Sequence, residues 1–515
     1  MSKTTKSKWA FWKKDKNKTI TRELPGISET DWDEETISLS KAPPDPDFEQ
    51  TEQASPQSPP VETVATDPNG SSMLFWFFFG ILTLLFSLPL WQATYLPMEG
   101  LSSRLGLVAA FENSNTILRE YFSHSFLLYV GSAPYYILAF LKEILSWELA
   151  VKLLLQSYIL FTPLALWFAL QLAGRSRWNT FFAFFFLYNG AFREGNLEFL
   201  MAMPLLIAGL GCMYAFMARN KALAGFALAA TTWMLLLVDL HAYLLFLLVL
   251  CIAAAVLSDS IADWLTQILL PITSLIGFLP WCWLAAPEGS TAGGKVAFLT
   301  FASIQSRFLS LVGESNGLFW GEAGGYLTLG SLLLISFGIL AQINRNAFQK
   351  KDSYSFLTSK QQNVFPVLAL SLVVLYLLFP THLKNHALPS ILFLVLAPWC
   401  LLHWLHLQTG RISQYILLSL VILLGITQSV TMMQKLREQK SELTDLESVL
   451  KKIPAKKKLL VWQMGTSKVA RMQWSHVGGY YMIDKGGLSN IDLNPIWYAS
   501  IRLKPNKKLP HPTQP

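Results

Sequence analysis

The chain alternates long apolar stretches with short polar ones, and one polar interruption is unusually dense. Phe181–Leu206 reads FFAFFFLYNGAFREGNLEFLMAMPLL, so an aromatic run passes directly into Arg193, Glu194, Asn196 and Glu198 before a second apolar run begins. Charge at this density beside hydrocarbon is costly unless it sits at a membrane surface or lines a wet cavity. The pattern predicts a tight turn at the rim of a helical bundle.

Around that turn the apolar runs have the length of membrane spans, roughly 17–25 residues. They predict helices at Met73–Tyr95, Leu149–Ala173, Trp178–Phe192, Leu197–Ala218, Ala222–Val238, His241–Leu257, Leu265–Ala286, Tyr326–Ile343, Val364–Pro380, Ala387–Leu407 and Ile412–Met432, about eleven transmembrane helices in all. Leu96–Trp147 does not fit. It carries Glu99, Arg104, Glu112, Arg119, Glu120 and His124, and ends in SAPYYILAFLKEIL. That last piece is apolar but short and broken by Lys142 and Glu143, which predicts a helix lying in the interface.

The two ends are polar. Residues 1–72 run from a basic cluster (Lys3 to Arg22) through an acidic stretch to a Pro/Ser/Thr segment, the composition of a disordered tail. The basic cluster could touch anionic lipid. Beyond Lys435, LTDLESVLKKI has helical spacing, while KKKLLVWQMG and IWYASIRL read as strands. The expected fold is therefore an α-helical polytopic membrane protein. Residues 1–72 form a cytoplasmic tail, 73–432 a transmembrane bundle with an outward loop at 96–147, and 433–515 a small extracytoplasmic α/β domain.

Composition supports this class. Of 515 residues, 52% are hydrophobic and only 14% charged, which excludes a soluble enzyme with one large core. The four cysteines lie inside apolar runs and read as small hydrophobes, not as a disulfide framework or metal site. The net charge of +8 is spread over tails and loops, a topology signal and not a nucleic-acid footprint. No cleavable signal peptide is expected, since the first apolar run begins near Met73. With the SAPYYILAFLKEIL helix interfacial, the inward turns carry Arg175, Arg177, Arg219, Lys221, Arg345, Lys350, Lys351, Lys360 and Arg411. This positive-inside bias places the N-terminus in the cytoplasm and the C-terminus outside.

Polar candidates then gather on the outward face. Glu99 in LPMEGL, with Glu112 and Glu120 as rivals, could act as a general base toward a hydroxyl or hold a divalent metal at a phosphate. Arg193 suits a phosphate, or pairs with Glu194 or Glu198 to neutralise the turn. Asp239 and His241 could shuttle a proton or bind a metal, or Asp239 could cap the following helix. In PTHLKNH, His382, Lys384 and His386 could meet a lipid phosphate or simply snorkel. No Walker loop, HExxH, CxxC or GxSxG is present, so nucleotide-driven transport and soluble hydrolase chemistry have no support.

In layout the chain resembles the GT-C membrane glycosyltransferases, whose members include the protein O-mannosyltransferases and the aminoarabinose transferases of lipid A. The similar stretches are LPMEGLSSRLGLVAAF, SAPYYILAFLKEILSWELAVKLLL and LYNGAFREGNLEFLMAMPLL. The resemblance implies sugar transfer from a polyprenyl-phosphate donor to an acceptor on the outer face of a bacterial inner membrane. It implies a catalytic acid at Glu99 and a second at Glu194 or Glu198, with Arg193, Arg104 and Lys384 available to the donor phosphate. The expected partners are membrane lipid and the lipid-linked sugar, with no nucleic acid, and the metal requirement stays open. The family's first-loop acid is usually Asp, whereas this chain has a lone Glu99 followed by Gly100. That difference keeps a non-catalytic scaffold of an envelope-assembly complex as the alternative, and a lipid-linked glycan polymerase or flippase would share the layout.

Overall fold

Caps and breakers set the helix ends in this computed structural model. It describes residues 70–92, 95–96, 98, 100–112, 116–124, 130–219, 221–284, 299–300, 359–379, 382–383, 386–387, 391–404, 411–438, 440–459, 478–489 and 501–503. All of them belong to one unit, Asp67–Pro515. The expected tail up to residue 69 and the expected span Tyr326–Ile343 lie outside the described residues.

The first apolar run folds as α1 (Gly70–Trp91). The loop after it holds α2 (Leu101–Glu112), α3 (Thr116–Tyr121), strand β1 (Phe122–His124) and α4 (Ala133–Ile144). α4 has 12 residues, a length of roughly 18 Å, too short for a hydrocarbon core of about 30 Å. An extended Leu145 ends it, and the Ser146 hydroxyl then accepts from the Leu149 N–H at 3.4 Å to start α5 (Trp147–Ala173). The PYYILAFLKEI helix is thus separated from the span that follows it.

The expected span Trp178–Phe192 is not a continuous helix. It is a 3-10 turn (Arg177–Phe181), then α6 (Phe182–Phe185), then α7 (Gly190–Arg193). Its side chains are nonetheless almost all buried, so burial here comes from neighbouring helices and not from lipid-facing helical geometry. α8 (Leu197–Met217), α9 (Ala222–Val238) and α10 (Leu240–Leu257) follow close to expectation. The expected span Leu265–Ala286 is also broken. α11 (Ile261–Leu269) gives way at Pro271 to a 3-10 turn and α12 (Leu275–Leu284), with a bend of 50° between the halves.

Beyond this lie β2 (Leu299–Thr300), α13 (Ser359–Leu378), β3 (His382–Leu383), β4 (His386–Ala387), α14 (Ile391–Trp404) and α15 (Arg411–Glu438). The last stretch holds α16 (Lys440–Lys452), β5 (Lys458–Leu459), α17 (Gly478–Lys485), β6 (Leu488–Ser489) and β7 (Ile501–Leu503). Among the described residues four helices, within α1, α5, α8 and α10, are long and apolar enough to cross a membrane, and the bent pair, counted as one span, makes a fifth. The chain is a helical membrane protein.

The core sits where α5 packs along α8 and α8 along α9. α8 is the most enclosed of these spans, with 72% of its apolar window buried, so it is the axis on which the polar rim is built.

The C-terminal stretch is interleaved with the first loop. β7 pairs antiparallel with β1, Phe122 opposite Leu503 and His124 opposite Ile501. α17 lies on α2 so closely that a Cβ on Gly479 would come within 1.6 Å of the Ser102 carbonyl oxygen. The Tyr480 hydroxyl donates to the Leu96 carbonyl at 2.8 Å, and Lys458 Nζ stands 5.0 Å from the centre of the Tyr121 ring.

Candidate functional site

The FREGN turn is built by its own caps. Asn189 opens α7 by accepting from the Phe192 N–H at 3.1 Å. α7 closes with the paired bonds of a Schellman motif, Gly195 N–H to Phe192 C=O at 3.0 Å and Asn196 N–H to Ala191 C=O at 3.1 Å. The motif needs a left-handed residue, and Gly195 supplies it at φ 63°. Asn196 then caps α8, accepting from the Phe199 N–H at 3.2 Å. Five consecutive residues therefore end one helix and begin another, placing Arg193, Glu194 and Glu198 around one corner. Arg193 itself is only 8% exposed.

The first loop is seated on this corner. The Gly100 N–H donates to the Glu194 carbonyl at 2.9 Å, and a Cβ on Gly195 would come within 2.8 Å of the Leu101 nitrogen. One turn into α2, Arg104 Nε donates to Glu198 Oε2 at 2.6 Å, both side chains 14% exposed. The other carboxylate oxygen, Oε1, accepts from the Tyr135 hydroxyl of α4. Burial works against the Arg104 charge, but Glu198 outweighs it and holds the guanidinium pKa above its ordinary value. Burial and then Glu198 push the Tyr135 phenol well above its ordinary pKa, so it remains a donor. Three elements far apart in sequence thus meet on one carboxylate.

Two further bonds close the cluster. Lys142 Nζ of α4 donates to Glu112 Oε2 at the far end of α2. The Gly131 N–H donates to the Leu236 carbonyl near the end of α9 at 3.1 Å. Asp239 follows at the junction of α9 and α10, close enough to add to the field at Tyr135. It is 2% exposed and caps α10, its Oδ1 accepting from the His241 and Ala242 N–H groups at 2.6 and 3.0 Å. His241 Nδ1 stands 3.7 Å from the same oxygen. Burial raises the Asp239 pKa, with the His241 charge and these N–H donors opposing.

The candidates read from the sequence therefore fall into three groups. Arg104 and Glu198 are joined directly, the Glu194 backbone carbonyl holds Gly100 beside them, Arg193 sits on the same turn, and Asp239 with His241 stands near them. Glu99 and Lys384 lie outside the described residues, although Met98 and Gly100, which flank Glu99, both abut the FREGN turn. His382 lies in β3, its backbone paired with Thr300 and Ala387 in a three-stranded sheet. Among the described residues no three His, Cys, Asp or Glu side chains converge as a metal site. The Asp239 oxygen nearest the His241 imidazole is the one that caps α10.

The pattern of the chain pointed to the corner but not to its partners. Tyr135 was visible only as part of a Pro-Tyr-Tyr segment, and nothing local marks it as a donor to a residue 63 positions away. Glu198 lies in the first turn of a helix, where a carboxylate is favoured by the helix dipole whatever its partner. A lone Arg in an apolar loop helix, as Arg104 is, was the available signal for a buried acid elsewhere.

No family model matches the chain, and no curated protein matches its sequence. Among solved structures the chain is similar to the crystal structure of ArnT from Cupriavidus metallidurans bound to undecaprenyl phosphate. Sequence identity is 13%, the match covers 84% of this chain and 88% of that one, and the TM-score is 0.43.

Proposed function

We propose that the chain is a membrane glycosyltransferase of GT-C type, moving a sugar from a polyprenyl-phosphate donor to an acceptor on the outer face of a bacterial inner membrane. The proposal stands on this chain's own residues. The observation that carries it is the Arg104–Glu198–Tyr135 joint, which fastens the polar first loop to the FREGN turn inside an otherwise apolar protein. A buried charged joint is expensive to assemble, and a loop held only for solubility has no need of one.

In this reading Glu198 is a positioning residue, its carboxylate engaged on both oxygens, and Arg104 belongs with it. Glu99 takes the proton of the acceptor hydroxyl. The acceptor oxygen then attacks the anomeric carbon, the bond from that carbon to the phosphate oxygen breaks, and the electron pair leaves with polyprenyl phosphate. Arg193, and Lys384 with it, would meet the phosphate charge. No step is routed through a metal. The N-terminus is cytoplasmic, the C-terminal stretch is extracytoplasmic, and the full set of about eleven spans includes runs outside the described residues.

A second reading, a non-catalytic scaffold of an envelope-assembly complex, has one observation in its favour. The described acids Glu112, Glu198 and Asp239 are each engaged by a cation, a phenol or a helix cap. Purified protein assayed with a panel of polyprenyl-phosphate sugars separates the two. Saturable binding with turnover supports the transferase, whereas no binding across the panel supports the scaffold.

A further inference from the structure

The described residues around Glu99 are held from two sides, and the FREGN turn is only one of them. On that side the Gly100 N–H donates to the Glu194 carbonyl at 2.9 Å. On the other side stands α17, whose Tyr480 hydroxyl donates to the Leu96 carbonyl at 2.8 Å across 384 positions of sequence. The same carbonyl accepts from the Met98 N–H at 2.8 Å, and the Met98 carbonyl accepts from the Leu101 N–H at 3.3 Å. Leu96, Met98 and Gly100 belong to no helix or strand, so no ladder satisfies their backbone and these few bonds set its course. Leu96, Met98, Leu101 and Tyr480 are all buried.

The surroundings of Tyr480 fix its direction. Its ring lies 4.8 Å from that of Tyr95 and 5.7 Å from that of Trp147, centre to centre. Burial pushes its phenol above the ordinary pKa, so it stays a donor. The next residue does something else. Tyr481 is also buried, but its hydroxyl donates to the Pro454 carbonyl at 2.9 Å and accepts from the Lys457 N–H at 2.9 Å, both within the C-terminal stretch. Of two adjacent buried tyrosines, one fastens the stretch to itself and the other fastens it to the first loop. Docking alone does not require the second bond, because the β1–β7 ladder and the contact of Gly479 with Ser102 already join the two. We propose that Tyr480 is a positioning residue of the transfer site, which fixes the backbone on either side of Glu99 against the FREGN turn through the Leu96 carbonyl. The C-terminal stretch is then part of the catalytic apparatus. This rests on the transferase reading, in which Glu99 is the base; Tyr480 acts through the backbone and touches neither donor nor acceptor.

Tyr480→Phe in the purified full chain tests it, since the substitution removes the hydroxyl and keeps the packed ring. Transfer from a polyprenyl-phosphate sugar is measured with kcat and KM resolved. Loss of the one hydrogen bond that holds the base in line is expected to lower kcat about tenfold and to leave the donor KM unchanged. Hydrogen exchange, followed by mass spectrometry, is expected to quicken in the peptide covering residues 96–101 and to stay at the wild-type rate in α8 and α17. Tyr481→Phe is the matched control, expected to keep the wild-type kcat and the wild-type exchange at 96–101. Wild-type kcat in Tyr480→Phe overturns this proposal alone and leaves the transferase reading standing. A lower kcat with exchange quickened throughout α17, or an equal loss in Tyr481→Phe, also overturns it, since either marks a merely structural tyrosine. No turnover in wild type overturns the transferase reading itself, and this proposal with it.

Discussion

Glu198 shows how much one side chain can organise. Its carboxylate accepts from Arg104 on one oxygen and Tyr135 on the other, so three segments share a single acceptor. Removing one partner of a buried ion pair leaves the other charge uncompensated, a loss of roughly 3–5 kcal/mol. Glu198→Ala is therefore expected to lower the thermal midpoint in detergent substantially. Glu198→Gln, which still offers Tyr135 an oxygen, is expected to lower it less. Equal midpoints for wild type and Glu198→Ala would remove the joint from the account. Glu112 gives a pH-dependent counterpart, its side chain 9% exposed beside Lys142. Burial raises its pKa above the ordinary 4.5, with Lys142 opposing and Glu143 reinforcing. The fold thus favours the protonated form, so this contribution is full below about 4.5 and is lost as pH rises through the higher folded value. Stability is expected to fall across that window in wild type and to fall less in Glu112→Gln, read by thermal unfolding at stepped pH. A slope that survives the substitution unchanged contradicts it.

Among the elements, the close contact of α2 with α17 is the most exacting. A Cβ at Gly479 would sit inside the Ser102 carbonyl, backbone that cannot yield as a flexible side chain can. Gly479→Ala is expected to lift α17 from α2, at roughly 1–3 kcal/mol or more. Hydrogen exchange should then quicken in both helices and stay unchanged in α8; protection equal to wild type in α2 and α17 would show that the contact is dispensable. Element by element, legibility in the sequence followed how local the cause was. α5 and α8 could be read because each joins a long apolar run to its own cap, Ser146 and Asn196. Asp239 as a helix cap was legible for the same reason. The Trp178–Phe192 run misled, because aromatic composition alone does not distinguish a span from a broken segment wedged among helices. Asn179 and Asn189 within it were the signs of interruption, and Asn189 spends its amide on the Phe186 carbonyl and its carbonyl on the Phe192 N–H. The Arg104–Glu198 pair spans 94 positions and leaves no periodic trace.

At the scale of the whole molecule, the first loop and the C-terminal stretch act as one cover over the end of the bundle, joined by the β1–β7 ladder and by α2 on α17. The sidedness of that cover is a proposal with a direct test. Single cysteines at Lys221, between α8 and α9, and at Asp484, in α17, are both exposed. In intact cells an impermeant thiol reagent is expected to label Asp484→Cys and to spare Lys221→Cys until the membrane is opened. The reverse pattern would invert the topology.

The central claim is that the first loop and the FREGN turn form one transferase site. Its most direct measurement is the rate of sugar transfer from a polyprenyl-phosphate donor by purified protein, comparing wild type with Glu99→Gln and Arg193→Ala at matched abundance and folding. Loss of a general base or of a phosphate-binding cation commonly costs on the order of 10²–10³ in rate. We expect turnover in wild type and a loss of that order in both variants. Turnover that persists at the wild-type rate in both would contradict the site.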